Sequence, residues 1–514
     1  MASQPPLPPP RSTLPLPPLF PTPRRPSLGF GLTVLLVLFA AQLLAYHQAF
    51  RVRPASDDWP IINEINRGNH QGVAVFFTQS VIHIGYRPLK SLAIWAFGNL
   101  GGDSIAARVA WIRAMTMAGA LFYAWVALLW LRAMPVGHAA TVAGLAVMFF
   151  HPVLPQAVAS IDSIDTLASS ALLWLGAWCT YRWRDRLTIA LPAALGCFFL
   201  GVGFKENLFA LAPLAAIVLW LFRRQRRVGS ATLAFLVLIA AAVPMILIRR
   251  HVIDTGLEAG EKMLLMTPRQ LAQNVVIFAT GLLFFGDSLW VFVHQSTVVL
   301  AMVAAACFIA FGAMIGGILR SLPVLPLRWL LFAVVGIALA SFPTVLLYHV
   351  SEMYVPPMLL PFALLCGIAA DGWWVGGSRA GRVGLVGLAA VALVSSVLTI
   401  QDKVNGLVNC GVRAERQLRQ VLNYVPPGTK DKSIMLLFDA HTLPDRRTYA
   451  VFRMGDEILL VHEVTPEWLR PGDGLKLQSR VVDDPRTFDQ TGWDLVLLWD
   501  SSKQQFSVLK NGLG

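Results

Sequence analysis

The 514 residues are 56% hydrophobic and only 14% charged, with a mean hydropathy of +0.60. A soluble core of this length does not bury so much apolar surface, which excludes an ordinary globular enzyme and points to a polytopic helical membrane protein. The net charge of +13 does not mark a nucleic-acid binder, because the basic residues gather in short connections between apolar stretches.

Residues 1–27 are proline-rich and free of acidic residues, and they end in Arg24-Arg25-Pro26 before Ser27. Such a segment cannot build a core and reads as a disordered cytosolic tail. Residues 28–46 form the first apolar span. Its length, and the acidic pair that follows, argue for a retained helix rather than a cleaved signal. With Arg24 and Arg25 inside, Asp57 and Asp58 face the extracytoplasmic side. Two adjacent carboxylates at a membrane surface cost too much desolvation to be there for packing, so they are the candidate catalytic groups. Tyr86-Arg87-Pro88-Leu89 follows in the same outer loop.

The next apolar stretches are 105–131, 141–150, 167–181, 187–204, 208–222 and 232–248. Arg132, the turn Arg182 to Arg186 and the turn Arg223 to Arg227 all fall on one side of this alternation. Residues 249–270 read as a polar outer loop. The stretch 271–285 reads as a re-entrant or surface-lying helix, because a full crossing there would put Arg320 and Arg328 outside. Spans at 298–319, 329–347, 354–374 and 383–400 complete about eleven crossings at roughly 20 residues each, with the C-terminus outside.

From residue 401 to 514 the composition is that of a soluble module, expected to be a small extracytoplasmic mixed α/β domain. An amphipathic helix is expected around 412–422, with strands at 433–438 and 493–499, short apolar runs bounded by turn residues. Asp439 and His441 at a strand end read as loop residues. The chain divides into a tail (1–27), a transmembrane catalytic domain (28–400) and a soluble domain (401–514).

This topology brings polar residues from four outer connections to one face: Asp57, Asp58 and Arg87; His151, Asp162 and Asp165; Lys205 and Glu206; and His349, Ser351 and Glu352. Each has a plainer reading. His151-Pro152 is a helix stop, Asp162 and Asp165 are helix caps, and Lys205-Glu206 is a self-neutralised pair. Convergence on one side favours a site instead. Carboxylates mixed with Arg and Lys at a membrane boundary suit sugar transfer from a lipid phosphate, where cations hold the phosphate and a carboxylate takes the acceptor proton. The five cysteines show no CxxC spacing, and no metal or cofactor motif is present.

Six motifs occur in order: Asp57-Asp58-Trp59, Tyr86-Arg87-Pro88-Leu89, His151-Pro152-Val153 with Gln156-Ala157-Val158, Asp165 with Leu167-Ala168, Lys205-Glu206, and Ser351-Glu352 with Tyr354 and Pro356. Over about residues 28–375 the chain resembles the GT-C membrane glycosyltransferases, above all the protein O-mannosyltransferases that carry tetratricopeptide repeats, and their bacterial relatives. The resemblance implies a GT-C-like all-α membrane fold and transfer from a polyprenyl- or dolichyl-phosphate sugar at the outer or lumenal face, usually with inversion and without an obligatory metal. It implies Asp58 or Asp57 as base and Arg87 and Lys205 as phosphate contacts, with His151, Asp162, Asp165, Glu206, His349 and Glu352 lining the substrate site. The partners expected are the lipid-linked donor, membrane lipids and an acceptor that is a protein, glycan or lipid. The expected location is a bacterial inner membrane, with the site facing the periplasm or exterior. The chain departs from the family at Gln156, where an acidic residue is common, and at Met353, where an Arg follows the late Glu. It also lacks the repeats. An O-antigen-ligase-like or lipid A-modifying transferase, and a non-catalytic transporter or scaffold, remain open alternatives.

Overall fold

The computed structural model describes residues 26–54, 58–79, 86–102, 104–161, 163–252, 267–287, 296–346, 350–439, 448–449, 473, 475–500, 502–503 and 505–513. Asp57, Asp162, His349 and His441 lie outside the described residues. The described chain is mostly helical, with a small C-terminal sheet.

Among the described residues, six helices are long and apolar enough to cross a membrane: α1 (Leu28–Ala45), α5 (Ile105–Ala133), α11 (Arg227–Val252), α13 (Thr297–Ser321), α15 (Pro356–Gly376) and α16 (Arg379–Asn423). Shorter apolar helices are α6 (His138–Phe150), α9 (Leu187–Val202), α10 (Leu211–Phe222) and most of α14 (Leu327–Val345). α8 (Ile164–Arg182) joins them in the bundle, packed between α5 and α9. Most apolar stretches read from the sequence recur as helices near their expected bounds, but six of the described helices, not about eleven, have the length and hydropathy of a crossing. Four helices between the spans were not expected: α2 (Asp58–Gln71), α3 (Val75–Thr78), α4 (Pro88–Asn99) and α7 (Leu154–Ala159).

α15 is the buried axis. Pro361 removes the N–H that would bond the Pro357 carbonyl one turn earlier, and the Trp174 indole of α8 donates to that carbonyl instead, at 2.7 Å. The Tyr123 hydroxyl of α5 is inserted in the same first turn, donating to the Pro356 carbonyl at 2.6 Å and accepting from the Leu360 N–H at 3.2 Å. These bonds fix the N-terminal end of α15, from which Glu352 and Tyr354 hang. At its other end, Gly317 of α13 and Gly372 of α15 let the two backbones touch, and a Cβ on either would collide with the neighbouring main chain.

α12 (Pro268–Leu283) does not run from end to end. Its Asn274 Nδ2 donates to the carbonyl of Val345, the last residue of α14, at 2.9 Å. Its Leu282 carbonyl lies 3.0 Å from His151 Nε2, just past the end of α6. Both contacts are made at the end of the bundle where α15 begins, so α12 lies across that end, as expected for 271–285.

α2 is held by a stripe of Ile61, Ile62 and Ile65 against Ile94 of α4, Val109 and Ile112 of α5, and Ile161 and Ile164. That spacing is one face of a helix, and it carries Asp58 at the first turn.

The expected break at residue 400 is absent. α16 continues without interruption through the expected amphipathic helix, because Val404 and Leu407 still face the bundle core while Ala414, Leu418, Val421 and Leu422 face the sheet. The sheet comprises β2 (Ser433–Asp439), β4 (Lys476–Val482), β5 (Leu495–Asp500) and β6 (Gln505–Asn511) in the order β4-β2-β5-β6. The first three strands are parallel and β6 is an antiparallel edge. β2 and β5 were expected, and β4 and β6 were not. Two short strands, β1 (Val350–Ser351) and β3 (Thr448–Tyr449), pair in parallel and tie the C-terminal region to the loop before α15.

Candidate functional site

Pro88 starts α4 and leaves Arg87 as its cap, and the Leu89 N–H donates to the Gly203 carbonyl at 3.0 Å, which fixes Arg87 beside the end of α9. Arg87 divides its fork between two helices. Nη1 lies 2.7 Å from Asp165 Oδ2 in the first turn of α8, and Nη2 lies 3.2 Å from Glu206 Oε1. Asp165 is fully buried and also lies 3.6 Å from Lys90 Nζ. Arg249, near the end of α11, lies 3.2 Å from Glu206 Oε2. The buried Lys205 donates to Thr166 Oγ1 at 2.7 Å and sits 5.6 Å from the centre of the Tyr354 ring. Burial pulls the Lys205 ammonium down from its ordinary value, and Asp165 opposes that pull. Lys205 and Glu206 are therefore not a self-neutralised pair, and Asp165 lies inside the first turn of α8 rather than at its cap position, which Ser163 occupies without a side-chain capping bond. Among the described residues, four cations, Arg87, Lys90, Lys205 and Arg249, surround two carboxylates, Asp165 and Glu206.

Asp58 is buried in the first turn of α2, and Ser160 Oγ makes a long contact of 3.5 Å with its Oδ1. Ser160 ends α7 and Asp165 opens α8, so one short connection reaches both the candidate base and the cations.

His151 and Glu352 belong elsewhere. His151 is fully buried against Phe285 and Phe362, with Nε2 at the Leu282 carbonyl and Nδ1 accepting from the Val153 N–H at 3.4 Å. Burial pushes this imidazole down to about 4, which keeps it neutral, and its expected contact with substrate gives way to packing. Glu352 is bound by the fully buried Lys403 of α16, whose Nζ lies 2.5 and 2.6 Å from its two carboxylate oxygens. The same ammonium donates to the Pro152 carbonyl at 2.8 Å and lies 3.6 Å from Asp287. Glu352 thus anchors the loop that carries Tyr354. Gln156, one of the departures from the family pattern, accepts from Ser351 Oγ at 3.3 Å and approaches Met353, the other departure, through its Nδ-equivalent amide Nε2 at 4.0 Å from Sδ.

Sequence reading missed Lys90, Arg249 and Lys403. Lys90 follows Arg87 by one helical turn and shares its face, a spacing that flags it once α4 is recognised. Lys403 sits just past an apolar stretch, where a basic residue reads as an interfacial charge. Among the described residues no group of three or more His, Cys, Asp or Glu is arranged to hold a metal ion. No protein-family model matches the chain, and no curated protein matches it.

Proposed function

We propose that this chain is a membrane glycosyltransferase that moves a sugar from a polyprenyl-phosphate donor to an acceptor hydroxyl at the extracytoplasmic face. The observation that carries the reading is the excess of cations over carboxylates in the Arg87 cluster, a surplus matched to a phosphate. Asp58 takes the proton of the acceptor hydroxyl as its oxygen attacks the anomeric carbon. The bond from that carbon to the lipid phosphate breaks, and the phosphate leaves with the electron pair, stabilised by Arg87, Lys90, Lys205 and Arg249. The lipid tail stays among the apolar helices while the acceptor arrives from water.

In this reading the eleven helices α1, α5, α6, α8 to α11 and α13 to α16 all cross, and the sheet lies on the same side as the cluster. Single cysteines introduced at Arg51, Gln225 and Lys503 test the topology. An impermeant thiol reagent is expected to reach the first and third from outside and the second only after permeabilisation, and labelling of position 503 from the cytosolic side alone would overturn it. The activity is tested by incubating membranes containing the chain with radiolabelled polyprenyl-phosphate mannose, glucose and arabinose. Donor-dependent transfer of label to an acceptor supports the reading, and label that only changes sides of the membrane would favour a transporter.

A further inference from the structure

Arg113 lies two turns into α5, a helix of membrane-crossing length, and is fully buried. Its Nε donates to the Ala159 carbonyl at 3.2 Å, while Nη1 and Nη2, both buried, have no hydrogen-bond partner. A guanidinium does not shed its proton in a protein, so a buried one needs a counter-charge. Ala159, which holds Arg113, is followed by Ser160, which contacts Asp58, so α7 presents its last turn to both side chains. Among the described residues, the other charged groups on the elements around them have partners of their own: Arg67 with Glu64, Arg108 with Asn66 and the Gly102 carbonyl, and Lys90 with Asp165.

We infer that Arg113 is a positioning residue for the reaction, the buried counter-charge that keeps the Asp58 carboxylate ionised and ready to accept a proton, held in place by the end of α7. It acts through Asp58 and is separate from the cations assigned to the phosphate. The inference rests on the glycosyl-transfer reading for its catalytic consequence, and on the shared attachment of both side chains to the end of α7 for their coupling.

The full-length chain in lipid nanodiscs tests both parts. Removal of the charge in Arg113→Met is expected to lower kcat by about a hundredfold, the scale of general-base loss, with the apparent KM for donor changed by less than about threefold. Arg113→Lys, which keeps the charge, is expected to restore at least about a tenth of the parental kcat on the same scale. In thermal unfolding, Asp58→Asn and Arg113→Met each remove one of two buried charges held at the end of α7, so each is expected to lower Tm, and the double variant is expected to recover part of the loss. Parental kcat in Arg113→Met, or no better turnover in Arg113→Lys than in Arg113→Met, would overturn the positioning role. Additive Tm losses would overturn the pairing. If the parent chain transfers no sugar, the glycosyl-transfer reading fails, and the Tm cycle still decides whether these two charges are coupled.

Discussion

Two buried ion clusters sit at the same end of the bundle, and they differ in charge balance. Around Lys403, one ammonium faces Glu352 and Asp287 with a carbonyl as further acceptor, in a region closed to solvent. Around Arg87, four cations face two carboxylates, and Arg87 and Glu206 are partly exposed. The first is a lock: it ties α16 to the loop before α15 and leaves no cationic charge over for a ligand. In the proposed function the second receives an anion, because cations that outnumber the carboxylates among the described residues are stabilised when a phosphate arrives. Both involve motifs that look alike in the sequence, a Glu beside polar residues at a helix end, and only the partner supplied from a distant helix separates them.

The comparison is sharpened most by removing the base from the open cluster's neighbour. Asp58→Asn is expected to cut turnover by about 10²- to 10⁴-fold in correctly inserted protein, measured as initial rate at saturating donor. Near-normal transfer would move the base to another carboxylate. Next is Lys403→Met in the closed cluster, expected to destabilise the fold by about 3–5 kcal/mol by stranding Glu352, measured by denaturant unfolding. The folded fraction should keep its apparent donor affinity. A variant with normal stability, or one whose main defect is donor binding, would erase the distinction between lock and site. Third is Arg87→Lys. One ammonium cannot reproduce a fork that spans Asp165 and Glu206, so apparent donor affinity is expected to fall roughly tenfold although the charge is kept. Unchanged affinity would mean that Arg87 serves packing alone.

Much of this arrangement was legible in the sequence because helix length and hydrophobicity are local properties. The long apolar stretches and the strands at 433–439 and 495–500 follow from residue patterns within one element, whereas the placement of 268–283 across the bundle end was read from where a crossing would put Arg320 and Arg328. α2 was missed because its polar face hides the period: it carries a stripe of three Ile among Asn, Arg and His, and its helix depends on packing against α4 and α5. The grouping of Arg87, Asp165, Lys205 and Glu206 was readable from topology. Their pairing was not, since Glu206 takes Arg87 and Arg249 rather than the adjacent Lys205, a choice made by helices far apart in the chain. His151 and Glu352 misled for the same reason. A polar residue at a helix end looks alike whether a carbonyl, a buried lysine or a substrate completes it.

The central claim is that the Arg87 cluster binds the phosphate of a lipid-linked sugar for transfer beside Asp58. It is tested most directly by purified full-length chain in proteoliposomes given radiolabelled polyprenyl-phosphate sugar and a hydroxyl acceptor, with the Asp58→Asn protein run in parallel. The account predicts covalent label on the acceptor with the parent and at most about a hundredth of that rate with Asp58→Asn, while both retain donor binding. Donor binding without covalent transfer by the parent, or equal transfer by the two proteins, would contradict it.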